Sequence, residues 1–246
     1  MSAQSTSGSL NGQRIIFLGG SSGLGLATAK AAVSEGAQVV IVSSRLDSIR
    51  AALAELPEKS EGHVVDLTQE EQIKTFFHQA GSFDHLVFTA GETLLIGHLK
   101  DTAIDDAKKF FGLRFWGMVT AVKYAIPHLK PGGSIILTGG TASIRPFPGW
   151  SIGAGVLAAV EGFMRAMAVE LAPIRVNMVT PGVVKTNLWS NMSETDRENF
   201  YHNIGQAMLL KRVGEPEDIA RTYLYLLTQS WSTGQVIVVD GGATLV

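Results

Sequence analysis

Cysteine is absent from this 246-residue chain, which removes disulfides, a thiol nucleophile and thiolate metal sites. Six histidines are scattered with no HxxxH or HExxH pair, so no metal site is expected. No stretch approaches the roughly eighteen consecutive apolar residues of a membrane span, and none is expected. Charge of one sign is missing too. Twenty basic and 22 acidic residues leave a net charge of −2, and a pI near 6.3 gives no field that recruits nucleic acid or an anionic membrane. Residues 1–12 are Ser-rich and lack the apolar core of a secretory signal; a flexible leader and a cytoplasmic location are expected. The four tyrosines are Tyr124, Tyr201, Tyr223 and Tyr225, and none stands four positions before a lysine.

What is present is apolar and evenly distributed. Hydrophobic residues make up 46% and charged residues 17%, and a chain of this length buries about 70–75% of its unfolded surface. Short apolar, β-branched runs alternate with helical patterns. Strands are expected at 14–18, 38–42, 63–65, 85–88, 134–137, 175–179 and 236–239. Helices are expected from the glycine turn to about 34, then at 48–56, 70–79, 104–128, 153–171 and 216–227. This alternation, with no linker or repeat, predicts an α/β fold: one domain over 13–246, a doubly wound seven-stranded parallel sheet with helices on both faces. Pro216, between Gly214 and the acids Glu217 and Asp218, marks a helix start.

The sequence Gly19-Gly20-Ser21-Ser22-Gly23-Leu24-Gly25 lies between the first strand and the first helix. Glycines at 19, 23 and 25 permit a tight turn, let backbone N–H groups approach a pyrophosphate, and seat the helix against the sheet. Dense packing at this turn is the alternative to nucleotide binding. The second strand ends in Ser43-Ser44-Arg45, with no acid to hold the ribose 2′-hydroxyl of NAD. The Ser44 hydroxyl and Arg45 guanidinium suit a 2′-phosphate, so NADP(H) is favoured as cofactor; a solvated arginine is the alternative.

On these residues the chain, from about Gly12 to Val246, resembles the short-chain dehydrogenase/reductase family, which implies a Rossmann fold. Gly19-x-x-x-Gly23-x-Gly25 matches its cofactor loop. Asp66-Leu67 follows the third strand, where the family aspartate meets adenine, and Ala90-Gly91 follows the fourth. Arg175-Val176-Asn177 leads into Pro181-Gly182; Thr186 stands where the resemblance implies contact with the nicotinamide carboxamide; Val239-Asp240-Gly241-Gly242 closes the match. The implied cofactor residues are therefore Gly19, Ser21, Ser22, Gly23, Leu24, Gly25, Ser44, Arg45, Asp66, Leu67, Ala90, Gly91, Pro181, Gly182 and Thr186. The family's dimers and tetramers imply a homodimer or homotetramer, and a small-face run at Gly153, Ala154, Gly155, Ala158 and Ala159 suits close helix contact.

The resemblance also exposes departures. Phe88-Thr89-Ala90-Gly91 stands for Asn-Asn-Ala-Gly, and Leu18 for a frequent threonine. Anchoring on Val160-Glu161-Gly162 places the family's catalytic tyrosine and lysine at Gly153 and Leu157. Its serine falls at Gly140 and its helix-four asparagine at Arg114. Carbonyl reduction requires a proton for the developing alkoxide, and a positioned acid contributes roughly 10²–10⁴-fold; glycine and leucine supply none. Arg114, Thr138, Thr141, Arg145 and His202 are the candidates to fill the vacancy. Arg114 and Arg145 are expected near the cofactor face, although Arg114 has Asp105 and Asp106 as alternative partners. His202 lies in an expected lid over about 187–212, and Trp150 and Trp189 are expected to bracket the pocket. The expected function is an NADP(H)-dependent oxidoreductase acting on an unknown small molecule, its acid relocated or supplied by substrate or water. A non-catalytic NADP(H)-binding regulator or scaffold subunit, or a lyase or isomerase on the same frame, are the alternatives.

Overall fold

A computed structural model of the chain describes residues 9–246. The strands are β1 (Arg14–Leu18), β2 (Gln38–Ser43), β3 (Glu61–Val64), β4 (Phe83–Phe88), β5 (Leu129–Thr138), β6 (Arg175–Pro181) and β7 (Val236–Val239). They form one sheet in the order β3-β2-β1-β4-β5-β6-β7, with every neighbouring pair parallel. The order runs outward from β1 in one direction and from β4 in the other. The crevice at this switch point, beyond the carboxyl ends of β1 and β4, is where such sheets bind ligands.

Side chains on the strands alternate between two buried layers. Ile16 and Leu18 join α3 (Glu70–Ala80), α5 (Met118–Ala125) and α6 (Ser151–Glu170) on one face. Ile15 and Phe17 join α1 (Gly23–Ser34), α2 (Leu46–Leu53) and α8 (Pro216–Thr228) on the other. This two-residue period, apolar on both phases, is why the strands read as continuous apolar runs. Helix α6 turns Gly153, Val156, Val160, Met164 and Ala168 inward at helical spacing. It is long and apolar enough to cross a membrane by length and composition, but this inward stripe packs against β6. Helix α8 opens on a reciprocal capping box between Glu215 and Asp218, with Pro216 in its first turn.

The third strand and the second helix begin two residues earlier than expected, at Glu61 and Leu46, and three further segments differ more. The helix expected over 104–128 is not uniform: α4 (Ile104–Phe111) passes into a π-helical turn, Gly112–Gly117, before α5. A Cβ on Gly117 would stand 2.5 Å from the Leu67 carbonyl oxygen, so this helix can approach the loop after β3 only with glycine there. Strand β5 begins five residues earlier than expected, because Gly132 takes a left-handed φ of 82° and Gly133 lies against the Asp84 backbone, where the register with β4 shifts. The segment expected as a lid folds into a short turn, Asn187–Trp189, and α7 (Glu194–Ala207). Of the expected leader, residues 1–8 lie outside the described residues. Leu10 is fully buried, and its N–H donates to Glu35.

Near the starts of β4 and β5, a buried polar group interrupts the apolar core. One His85 ring nitrogen lies 2.8 Å from Ser134 Oγ and the other 2.5 Å from Gln13 Oε1. Burial, reinforced by the Arg175 guanidinium and opposed by Asp84, lowers the His85 pKa to about 4. A histidine titrates near 6.5 once unfolded. The unfolded chain therefore binds a proton before the folded one as pH falls, so this contribution to stability is complete above about pH 6.5 and is lost progressively toward pH 4. The loss is on the order of 3 kcal/mol. Urea denaturation at pH 7 and pH 4.5 should show it, with a smaller pH dependence in His85→Asn; equal slopes in the two proteins would remove His85 as the cause.

Candidate functional site

The loop joining β1 to α1 is built from contacts that only glycine permits. Gly19 has φ 91°, and a Cβ there would lie 2.5 Å from the Ala90 amide nitrogen. A Cβ on Gly25 would meet the Gly19 carbonyl oxygen at 2.3 Å and Thr89 Oγ1 at 2.5 Å. Thr89 bridges the two strand ends, its hydroxyl 3.3 Å from the Leu18 carbonyl oxygen and 3.2 Å from that of Gly19. Helix α1 starts at Ser22 with no side-chain cap and no acid in its first turn. Its first N–H groups and the positive end of its dipole thus remain available to an anion.

Those N–H groups face an open cleft of about 480 Å³, a size in the range of small-molecule sites. Its lining includes Gly19, Ser21, Ser22, Gly23 and Leu24 from the loop, and Ser44 and Arg45 from the end of β2. Asp66, Leu67, Ala90, Gly91, Pro181 and Thr186 complete the expected residues on its wall. The other two lie behind it: Gly25 in the packing just described, and Gly182, where a Cβ would stand 2.8 Å from Asp240 Cα. Asp66 Oδ1 accepts from the Thr68 N–H and hydroxyl, 2.9 and 2.7 Å away. Thr186 Oγ1 accepts the Leu188 N–H at 3.3 Å, and its methyl side borders Gly23.

The five catalytic candidates do not converge. Arg114 and Thr138 line the cleft; Thr141, Arg145 and His202 do not. Thr138 Oγ1 lies 2.5 Å from both the Phe88 carbonyl oxygen and the phenol of the fully buried Tyr223, whose pKa burial raises, so its hydroxyl is already engaged. Arg145 is exposed and donates to the Ala243 carbonyl at 3.3 Å, which fixes it to the chain's last turn instead of the cofactor face. His202 sits on the outer side of α7. Arg114 does not pair with Asp105 or Asp106, which face Lys108 and Lys109. The π turn carries Arg114 inward, over the Phe110 ring, and its Nη2 donates to the Glu92 carbonyl oxygen.

Glu92 was not singled out from the sequence, although it directly follows Ala90-Gly91 at the carboxyl end of β4. It also lines the cleft, and burial raises its carboxyl pKa against the opposing pull of its own backbone amide and of Arg114. Desolvation lowers the Arg114 pKa in turn, with Glu92 opposing. Glu92 Oε2 and Arg114 Nε are both buried without a hydrogen-bond partner.

Around α6 the polar groups are few. A Cβ on Gly140 would touch Leu157 Cδ1 at 3.0 Å, so Leu157 fills the space beside the β5 exit. Gly153 is buried in α6, yet nothing lies within 4 Å of a Cβ placed on it. Trp189 donates Nε1–H to the Val184 carbonyl at 3.0 Å and forms a cluster with Tyr201 and Val213. Leu94, Trp150 and Leu188 pack on that cluster, so both tryptophans belong to an apolar wall. Among the described residues, no group of three or more His, Asp or Glu side chains could hold a metal ion.

A family model described as enoyl-(acyl carrier protein) reductase matches residues 19–244. The short-chain dehydrogenase/reductase fsr5 of Gibberella fujikuroi is 32% identical, over 96% of this chain and 96% of its own. The chain belongs to the short-chain dehydrogenase/reductase family. A crystal structure of a small-chain dehydrogenase in complex with NADPH is 34% identical with a TM-score of 0.85, covering 96% of this chain and all of its own. The MalC reductase/Diels-Alderase of Malbranchea aurantiaca is 27% identical with a TM-score of 0.89, covering 97% and 98%. The glycine-built loop matches the family pattern; Arg114 lines the cleft, and Gly140, Gly153 and Leu157 stand at the other positions the resemblance singles out.

The glycine contacts set opposite expectations for two alanine substitutions. Gly25→Ala forces a Cβ onto backbone and should destabilise the protein by about 1–3 kcal/mol. Gly153→Ala enters open space inside a helix and should stabilise it by up to about 1 kcal/mol. Thermal melts of the two variants check this; a Gly25→Ala melt at the wild-type temperature would mean that the loop relaxes freely.

Proposed function

We propose that this short-chain dehydrogenase/reductase binds NADP(H) and works as an oxidoreductase without the family's Asn-Ser-Tyr-Lys set. One observation carries the reading: the expected nucleotide residues from five separate strand ends line a single cleft at the switch of the sheet. The glycine cradle, the uncapped start of α1 and the Asp66 carboxylate fit a dinucleotide. Arg45 lines the cleft at the end of β2 with no acid at 43–45, which suits a 2′-phosphate and disfavours the bare ribose of NAD(H). A relative of 34% identity was crystallised with NADPH, in keeping with this choice.

When bound, the reduced dinucleotide supplies a hydride to an electrophilic carbon. The chain's own contribution is positioning. The α1 amides and Arg45 hold phosphate, Asp66 and Leu67 border the adenine end, and Ala90, Gly91, Pro181 and Thr186 border the nicotinamide end. Gly140, Gly153 and Leu157, at the positions the family resemblance gives to serine, tyrosine and lysine, offer neither oxygen-binding hydroxyl nor acid. Small ketones and aldehydes then have nothing to polarise them at that wall. Assembly as a homodimer or homotetramer belongs to the same proposal. It is supported by the many apolar residues that α6 leaves outside its inward stripe.

Calorimetric titration with NADPH and NADH side by side tests the cofactor reading. NADPH should bind in the micromolar range and NADH much more weakly, and Arg45→Ala should weaken NADPH far more than NADH. Equal losses remove Arg45 as the 2′-phosphate ligand. Absence of binding to either nucleotide leaves the regulator or scaffold reading without its ligand and turns the search to protein partners. A panel of simple ketones and aldehydes should be reduced negligibly at neutral pH; ready turnover would show that the lost side chains are not needed.

A further inference from the structure

We propose that two copies of this chain meet edge to edge at β7, about a two-fold axis, with Trp231 of each copy as the anchor of the contact. The inference rests on the homo-oligomer reading and deepens it by naming a surface other than α6. It starts from a difference between the two edges of one sheet. Strand β3 and its approach carry Glu58, Lys59, Glu61 and His63, and Glu61 is tied to Arg14 at 2.9 Å. Charges of this kind keep a free edge from pairing with another chain. At the other edge, the run Gln229–Val239 holds no charged residue, no histidine and no proline. The Met178 and Gly182 N–H groups donate to the Gln235 and Val239 carbonyls, at 2.9 and 3.0 Å. By strand alternation Val236 and Val238 then turn their backbone groups to the open side. An edge with none of the blunting charges is normally a covered one.

Exposed apolar side chains flank this edge. Tyr225 comes from α8, Val238 from β7 itself, Val169 from the end of α6 and Trp231 from the loop before β7. A Cβ placed on Gly234 would lie 3.7 Å from Ala168 Cβ, so the end of α6 adjoins that loop. Val169 is 82% and Trp231 95% exposed. A tryptophan in water offers about 200 Å² of surface to bury, a quarter of the roughly 800 Å² that a standard interface takes from each partner.

The loop holds Trp231 out on a fixed backbone. Buried Arg175 donates to the Leu226 and Leu227 carbonyls at 2.8 and 3.2 Å. Fully buried Asn177 donates to the Ser232 carbonyl at 2.7 Å and accepts the Gln235 N–H at 3.0 Å. The Gly234 N–H donates to the Val176 carbonyl at 2.7 Å, and the Trp231 N–H to Gln229 Oε1 at 2.8 Å. Little backbone freedom is left to lose on docking, which is how a preorganised aromatic anchor gains affinity.

The chemistry of the edge selects its partner. Without charge over Gln229–Val239 it gives a nucleic acid, an acidic peptide or a basic one nothing to pair with. A two-fold contact needs only a surface that matches itself, and a net charge of −2 leaves two copies little mutual repulsion. Trp231 of one copy then lies against the apolar edge of the other, and the reverse.

Sedimentation velocity of the full chain over a concentration series reads the assembly, and circular dichroism shows that each variant is folded. Trp231→Asp should raise the dissociation constant of the contact at least about 100-fold, because the change enters a two-fold contact twice. Trp231→Phe, which keeps an apolar ring, should raise it about tenfold or less. Ala158→Arg, on the exposed side of α6, should leave the β7 contact in place and the protein at least dimeric. Tryptophan emission should move to shorter wavelength as the wild type assembles, and move less in Trp231→Phe. A wild type that assembles with unchanged emission, or Trp231→Asp that assembles as tightly as wild type, overturns the β7 contact and leaves the oligomer reading to α6. A monomeric wild type overturns both, and its flotation with phosphatidylcholine vesicles, lost in Trp231→Asp, would assign the edge to a membrane.

Discussion

Everything at the cleft depends on how closely two backbones approach at the switch of the sheet. The β1–α1 loop passes the exit of β4 so tightly that a single Cβ on Gly19 would collide with the Ala90 amide, and one on Gly25 with the loop itself. This contact aims the amino end of α1 across the crevice and fixes the direction in which Ala90, Gly91 and Glu92 leave the sheet. Arg114 is placed by the same contact at one remove, because its hydrogen bond is to the Glu92 backbone. The approach also explains Thr89, where the family more often has asparagine. Its hydroxyl, from the β4 side, reaches the Leu18 and Gly19 carbonyls at the end of β1. A polar side chain that ties β4 to β1 does the structural work, whatever its exact type.

The sequence made most of the frame legible because burial on two faces leaves an unambiguous pattern. Strands β1 and β7 begin and end where the apolar runs do; β1 is buried from Ile15 to Leu18, whereas β7 is the partly exposed edge of the sheet. Boundaries slipped where the pattern ceased to report packing. The start of β5, with exposed Lys130 and two glycines, has no apolar signal; it is a strand because the glycines let its backbone follow β4 around Asp84. The π turn in 104–128 was invisible for a related reason. Its residues keep helical apolar spacing on both sides, and only the close pass of Gly117 by Leu67 marks the place where the helix must widen.

The candidate site was legible where chemistry follows the backbone and obscure where it follows side-chain direction. Glycine positions, strand ends and the residues after them led to the cleft. The aim of Arg114, Arg145 and His202 depended on geometry that no spacing encodes. Arg114 and Arg145 are both arginines just beyond elements that border the crevice, yet one is turned in by an extra helical residue and the other is fixed to the C-terminal turn. Glu92 carries no signal in the sequence, because an acid after a glycine in a loop normally faces water. Burial of its carboxyl became visible only once the Arg114 side chain was seen to cover the exit of β4.

The apolar substitutions and the buried charged pair belong together physically. In the family arrangement implied by the resemblance, a lysine and hydroxyls keep that end of the cleft polar. Leu157 packs beside Gly140 at the β5 exit, and burial desolvates both Arg114 and Glu92. Poorer solvation strengthens every remaining electrostatic interaction and makes each unpaired polar atom more costly. Burial raises the pKa of Glu92 and lowers that of Arg114.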